Sequence, residues 1–554
     1  MLHMGFFNKT SAIALMIPVV ALLGSCGGGG GGGASLSGSG GGTGGGTGAG
    51  GGTAWVQGQF SPASAFAAMC VTPRTGIDPV TQVAYADRPG TALDEKNWLR
   101  SWSNDLYLWF DEIPDQNPAG FTSDIDYFNV LKTSATTASG ALKDRFHFTY
   151  PTATWEELSQ SGVQPGYGAN FVIISGTPPR NVLVAYTDPG SPAALAPANL
   201  ARGAKILTVD GVDLVNADDQ TSVNTLNAGL SPQTVGESHT FSVLDAGAAT
   251  LRSVTLVSAD VDVTPVQNVH TIPTASGGLV GYMLFNDHIA TAESELVDAF
   301  NQLKTAGVQD LILDIRYNGG GYLDIASEVA YMIAGPATTT GQTFELSQFN
   351  SKNPTINPVT GDAITPLGFH ATTQGFSLTS GQALPSLNLT RVFVLTGATT
   401  CSASESIINS LQGVNVQVIQ IGSTTCGKPY GFYPADNCAV TYFSIQFRGI
   451  NAKGFGEYPD GFTPQNTVGT AGVLLPGCSV ADDFTHLLGD PAEGVLASAL
   501  SYQAGGACPV PPSGLRQPTA PLAAAAANYV PPAANGVVIR SWWQRNRIYR
   551  PAAR

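Results

Sequence analysis

Charge is scarce in this chain: only 12% of its 554 residues are Asp, Glu, Lys or Arg, about half the usual share for soluble domains. What charge there is leans acidic, with 40 Asp and Glu against 25 Lys and Arg, which argues against a nucleic-acid partner. Metal-ligand spacing is lacking as well. None of the seven cysteines stands in a Cys-x-x-Cys pair or beside a His-rich zinc pattern, so no metal and no cofactor is expected. Long apolar runs are equally rare. The one near the start, 12–23, is short for a membrane-spanning helix.

That run follows Lys9 and reads as a signal peptide. It ends in Leu23-Gly24-Ser25-Cys26, which resembles the lipobox of bacterial lipoproteins. The resemblance implies that Cys26 is lipidated and anchors the mature chain to a membrane of the bacterial cell envelope, with the outer membrane favoured. An ordinary signal peptide with an incidental cysteine is the plainer alternative, and both readings export the chain. Residues 27–53 are almost all Gly, Ser and Thr, with no apolar cluster able to seed a core, hence a flexible tether. The remaining cysteines, Cys70, Cys401, Cys426, Cys438, Cys478 and Cys508, are an even set that an oxidising compartment can pair. Six cysteines allow 15 pairings, and sequence does not choose among them.

About 500 residues remain, enough for more than one domain. In 98–113, Trp98, Trp102, Leu106, Trp109, Phe110 and Ile113 recur every three or four positions before Pro114, which predicts an amphipathic helix. A second helix is expected over 125–131, making 54–160 a small helical region whose aromatics serve packing. Short Val- and Ile-rich strands divided by Gly and Pro follow in 161–263, with one helical stretch near Val223, Leu226 and Leu230. From 264 to 508, strands over 279–285, 311–315, 392–395 and 416–421 alternate with helices over 292–303, 323–333 and 402–411. Alternation of this kind implies crossover βαβ units. A polar, β-tending insertion, 335–388, interrupts it. The tail, 509–554, is rich in Pro and Ala before a basic end, 540–550.

The chemistry concentrates in the alternating region. Thr399-Thr400-Cys401-Ser402-Ala403-Ser404-Glu405 follows a strand and opens a helix, so Ser402 stands where backbone N–H groups point outward unsatisfied. Such a position suits a nucleophile whose oxyanion is held by the N–H of Ala403. A second donor is expected from Asp314-Ile315-Arg316-Tyr317-Asn318-Gly319-Gly320-Gly321, from Gly319 or Gly320. No histidine lies in a short segment that pairs naturally with this helix, which leaves lysine as the base. Lys428 stands 26 positions after Ser402, just past the next strand, where strand ends return to one edge of the sheet. To act as base it must be neutral, which burial among apolar residues favours. The plain alternatives are an N-cap for Ser402, a surface charge for Lys428, a capping-box partner for Glu405 and a tight turn for the glycines.

In this order and spacing, the DxRxNGGG run, the Ser-Ala-Ser-Glu helix start and the later Gly-Lys resemble the carboxyl-terminal processing, or tail-specific, serine peptidases. The resemblance implies a ClpP/crotonase-like α/β core, with Ser402 as nucleophile, Lys428 as base and Glu405 as an acidic helper one helical turn from Ser402. Residues 161–263 resemble a PDZ domain through Gly166-Tyr167-Gly168-Ala169-Asn170-Phe171 and Pro189-Gly190-Ser191-Pro192-Ala193. This implies that Gly166, Tyr167, Gly168 and Phe171 bind the unstructured C-termini of protein or peptide substrates by strand addition. Many family members carry a glutamine four residues after the lysine. Here that place is Phe432, and no third catalytic side chain is assigned.

Cys426 and Cys438 bracket the lysine loop, and a disulfide between them would stiffen it. Cys401 beside Ser402 could itself be a nucleophile, but an oxidising compartment favours its pairing. The rival to an endopeptidase is a catalytically silent envelope scaffold that holds peptides in the same groove.

Overall fold

The computed structural model describes residues 55–79, 82–275, 277–511 and 547–548. The leader, Cys26, the glycine tether and most of the tail lie outside the described residues. Among those described, no helix is long and apolar enough to cross a membrane.

Helix α1 (Ala92–Leu106) begins at a reciprocal cap, in which Thr91 Oγ1 accepts from Asp94 N and the Asp94 carboxylate accepts from Thr91 N. The cap sets the start six residues before the first aromatic of the periodic run. The helix also stops early, because Tyr107 turns extended. Trp109 and Ile113 therefore lie beyond it, and Trp109 packs edge-on against Tyr430, 4.7 Å between ring centroids. Helix α2 (Asp124–Val130) is capped by Ser123. Trp98 and Trp102 stack at 5.2 Å, and Trp98 also meets Tyr442. The region is thus not only helical. It supplies strand Phe148–Pro151 to a small sheet with Val440–Phe443, and so is built onto the core.

Residues 163–262 leave and return through one antiparallel pair, Val163–Gly166 against Ala259–Asp262. Between these lies a sheet in the order Arg252–Val257, Ser238–Leu244, Lys205–Val209, Asn181–Thr187, Ala169–Ser175. Helix α3 (Gln220–Leu230) places Leu226 and Leu230 in the region's own core, with Val184, Ile206 and Phe241. Ala169–Ser175 is the terminal strand of this sheet.

The second large sheet runs β1 (Val266–Pro273), β2 (Leu279–Phe285), β3 (Asp310–Asp314), β5 (Arg391–Thr396), β6 (Gln417–Gly422) and β8 (Gly477–Ser479). Its first pair is antiparallel and the rest are parallel. Two short strands, β4 (Gly321–Tyr322) and β7 (Tyr430–Gly431), stand outside it. Helices α4 (Ala292–Ala306), α5 (Leu323–Ala334) and α6 (Ala403–Gly413) cover one face, and α7 (Gly494–Gln503) covers the other.

Side chains sort between the faces with the strand period of two. Met283, Leu311, Leu313, Val392, Val394 and Val418 join the α4–α6 side, while Tyr282, Leu284, Ile312, Phe393, Leu395 and Ile419 face α7. Both faces are covered, so these strands read as continuous apolar runs. Parallel order brings the C-terminal ends of β3, β5 and β6 to one edge.

Candidate active site

Three loops leave that edge together. After β3, buried Arg316 bonds Asp314 (3.0 Å), Glu493 (2.8 Å) and Asp482 (2.8 Å), while Tyr282 Oη donates to Asp314 at 2.8 Å. With the charges inside protein, loss of one partner costs about 3–5 kcal/mol. The Asp and Arg of the sequence motif are therefore structural, and they fix the turn that carries Asn318 and the glycines. Burial pushes the Asp314 carboxyl up, opposed by the Arg316 charge.

After β5, the loop that carries Ser402 is laced to that turn. Thr400 Oγ1 donates to Ile315 O (2.8 Å), Thr399 Oγ1 to Arg316 O (2.7 Å) and Cys401 N to Asn318 O (3.0 Å). Ser402 then takes φ +59°, a left-handed value that an L side chain adopts only under constraint. It is fully buried at the start of α6. Gly320 packs directly against it, since a Cβ there would come within 2.9 Å of Ala403 N and 3.0 Å of Ser402 Cβ. Of the two glycines expected as oxyanion donors, Gly320 has its N–H bonded to Asn318 Oδ1 at 2.9 Å.

After β6, Cys426 N donates to Thr400 O (2.9 Å), and Gly427 at φ +80° passes so close to Pro459 O that a Cβ would meet it at 2.3 Å. Only glycine allows that approach. Lys428 follows, with no exposed surface and its Nζ 4.3 Å from the Phe432 ring centroid and 5.0 Å from that of Phe146. Phe432, at the family's glutamine position, is thus one wall of the lysine's aromatic surroundings.

Glu405 gathers the loops. Its Oε2 accepts from Ser402 N (3.0 Å) and Lys428 N (2.8 Å), and its Oε1 from Gly427 N (2.9 Å) and Thr425 Oγ1 (2.5 Å). Burial pushes this carboxyl up, against the pull of those four donors. The acidic helper expected from the sequence is therefore close to both partners through their backbones.

The disulfides correct one expectation. Cys426 pairs with Cys401, not with Cys438, and Cys438 pairs with Cys70; the third bond is Cys478–Cys508. The loops after neighbouring parallel strands put Cys401 and Cys426 5.2 Å apart at Cα, whereas Cys438 sits at the turn beside the sheet pair that holds the N-terminal region. Oxidised Cys401 has no thiolate to offer as a nucleophile.

Residues 279–431 match the model of the family described as peptidase family S41. This stretch is similar to an S41 peptidase core. The chain is 27% identical to a carboxyl-terminal-processing protease of Picosynechococcus sp. (strain ATCC 27264 / PCC 7002 / PR-6) over 324 residues, 57% of this chain and 68% of that one. Its fold is similar to the crystal structure of a protein assigned as an S41 protease from Bacteroides fragilis NCTC 9343, with a TM-score of 0.55 and 23% identity, covering 74% of this chain and 97% of the other. A photosystem II D1 C-terminal processing protease aligns at TM-score 0.40 and 20% identity, over 70% of this chain and 94% of its own. The family match and the processing-protease relative support a peptidase hydrolase.

Outside the matched stretch, the residues expected to bind peptide termini divide. Tyr167 and Phe171 are buried in the β-rich region's own core, and Tyr167 Oη donates to Gly229 O at 3.1 Å. Gly166 ends the strand that pairs with 259–262, and Gly168 is packed against Ser191. Side-chain recognition by Tyr167 and Phe171 is therefore not available, and Tyr167 O already accepts from Ala193 N at 2.9 Å, which leaves the outer edge of the terminal strand Ala169–Ser175.

No sequence signal marks Asn318 as a hub, although it accepts from Gly320 N and Cys401 N and donates to Phe285 O. Nor does any signal mark Arg145, whose guanidinium donates to Cys426 O, or Phe146 beside the lysine. Both come from the N-terminal region, about 280 positions from Lys428, beyond the reach of local spacing.

Proposed function

We propose that this S41 peptidase is an exported, lipid-anchored serine endopeptidase in which Ser402 is the nucleophile and Lys428 the base. The observation that carries the reading is the convergence of the two on Glu405, which brings helix start and lysine loop together at one buried carboxylate. Ser402 Oγ attacks the scissile carbonyl while its proton passes to Lys428 Nζ. Collapse of the tetrahedral species returns that proton to the leaving amine and leaves an acyl-enzyme, which water hydrolyses by the same exchange. The Ala403 N–H and Gly319 are suited to hold the oxyanion, with Gly320 packed closely enough to shape that pocket.

A base must give up its proton at rest. Full burial and a surround of Phe146 and Phe432 penalise a charged amine, while the rings' faces attract it. Glu405, pushed up by burial and occupied by four donors, opposes that loss less than a bare carboxylate would.

Substrate tails add as a strand to Ala169–Ser175, whose outer edge has no partner in its sheet. Capture is then by backbone, and the unlipidated or membrane-bound state does not enter the chemistry. Labelling of the purified chain with a fluorophosphonate tests the nucleophile. Modification at Ser402, lost in Ser402→Ala, supports the reading; modification elsewhere, or none in active protein, rules it out.

A further inference from the structure

We propose that Arg145 is a positioning residue of the reaction: it holds the carbonyl of Cys426 and, by a charge without a contact anion, keeps the neighbouring Lys428 amine neutral. The inference rests on the proposed reading of Lys428 as the base.

Arg145 comes from the turn before strand Phe148–Pro151. Asp144 fixes that turn, accepting from Phe146 N (3.0 Å) and Tyr107 Oη (2.7 Å). Arg145 then reaches the lysine loop. Its guanidinium donates to three carbonyls, those of Leu142 (3.1 Å), Cys426 and Pro459 (3.4 Å). Cys426 stands two residues before Lys428, and Pro459 O is the carbonyl against which Gly427 packs. The guanidinium thus ties together both sides of the passage that delivers the lysine.

None of these three partners is an anion. Glu405, Asp460 and Asp144 act on the Arg145 charge, with Tyr430 beside them, but each carboxylate is taken up by other donors. Glu405 has the four described above, and Asp460 accepts from Thr137 Oγ1 and Ser139 Oγ, both at 2.5 Å. Cys401 and Cys426 are oxidised and do not titrate. Burial, the largest influence, pulls the guanidinium down, opposed first by Glu405. Arginine nonetheless stays charged at any working pH. A buried cation without a contact anion is costly, and Lys428 supplies a reason for it. Lys428 Nζ lies 5.0 Å from the Phe146 ring centroid, and the Arg145 guanidinium carbon lies 5.1 Å from the same point. The two groups are therefore within about 10 Å of each other, where a fixed positive charge disfavours a second one. The same charge offsets Glu405, which draws the lysine toward its protonated form.

Two substitutions separate the charge from the tie. Arg145→Gln keeps a donor for Cys426 O and drops the charge, and Arg145→Met serves in its place if that chain does not fold. Arg145→Lys keeps the charge and drops the planar fork. Each is made in the full Ser402→Ala chain with lysine carbon-13 labelled at Cε, and the Lys428 signal, assigned by its loss in Lys428→Arg, is followed against pH by NMR. Its midpoint should rise by about 0.5–1 unit in Arg145→Gln and move by less than about 0.3 unit in Arg145→Lys. With Ser402 intact, the rising limb of kcat/KM should move by the same amount, a loss of about 3- to 10-fold on the limb that recovers at high pH. An unmoved midpoint in folded Arg145→Gln, or equal shifts in the glutamine and lysine variants, overturns the inference. A moved midpoint beside a pH-independent wild-type rate instead overturns Lys428 as the base and leaves the coupling between the two cations standing.

Discussion

The backbone N–H groups of Ser402 and Lys428 donate to one oxygen, Oε2 of Glu405, at 3.0 and 2.8 Å. Glu405 thus sets the distance between the Ser402 loop and the Lys428 loop, which makes it a positioning residue in the proposed mechanism. Glu405→Gln keeps the size but turns one acceptor into an NH₂ facing N–H donors, each unsatisfied group costing about 1–3 kcal/mol. The expected result is a loss of about 10- to 100-fold in kcat with KM nearly unchanged, since a 1 Å misplacement is enough for that. Steady-state kinetics with a parallel melting curve checks it; an unchanged kcat in folded protein contradicts it.

The Cys401–Cys426 bond reinforces the same junction from the other side, joining the residue before Ser402 to the loop two residues before Lys428. Closing a loop of this length contributes about 3–4 kcal/mol in the chain-entropy account. Cys401→Ser with Cys426→Ser should lower Tm by several degrees and reduce kcat, whereas Cys70→Ser with Cys438→Ser should lower Tm and leave kcat less affected. Comparing the two double variants separates a clamp on the site from general stability.

How far this was legible in the sequence follows from the range of each interaction. The βαβ alternation, Ser402 at a helix start and Lys428 after the next strand are written in local period and spacing, and they hold to within a few residues. The end of α1 was missed because the aromatic period continues past Leu106 for a different reason, packing of Trp109 on Tyr430. The Cys401–Cys426 bond was missed because parallel strands bring together loops that sequence keeps apart. Arg145 and Phe146 reach the site from another part of the chain. No periodicity encodes that.

A pH dependence of stability is built into α4 and α5. Glu293 accepts from five consecutive backbone N–H groups, those of 374–378, and Glu328 shares Gln374 N with it. Burial, then the neighbouring Glu293 charge, pushes the Glu328 carboxyl up to about 9 from 4.5. A carboxyl raised in the folded state contributes stability below its unfolded value that is lost as pH climbs through the folded one. Glu328→Gln should therefore flatten the fall in Tm between about pH 5 and 9 and gain at least about 1 kcal/mol at the alkaline end, one pKa unit's worth. Parallel melting curves for the two proteins would show it as diverging lines; parallel lines would contradict it.

Capture by the terminal strand of the β-rich region predicts a substrate-length effect. Ile173→Pro removes a donor within Ala169–Ser175. It should raise KM for unfolded protein several-fold more than for a short peptide, with kcat on the peptide retained. Equal effects on both substrates would assign that region a purely structural part.

The central claim is that Lys428 takes the proton of Ser402, and one comparison tests it most directly: Lys428→Arg beside Lys428→Ala and wild type, in kcat and in pH profile. Arginine keeps the charge but cannot release its proton. Both variants should remain folded and fall by about 10²- to 10⁴-fold, the usual contribution of a positioned base, while wild-type activity climbs with pH. An arginine variant that hydrolyses peptide at close to the wild-type rate would contradict the account.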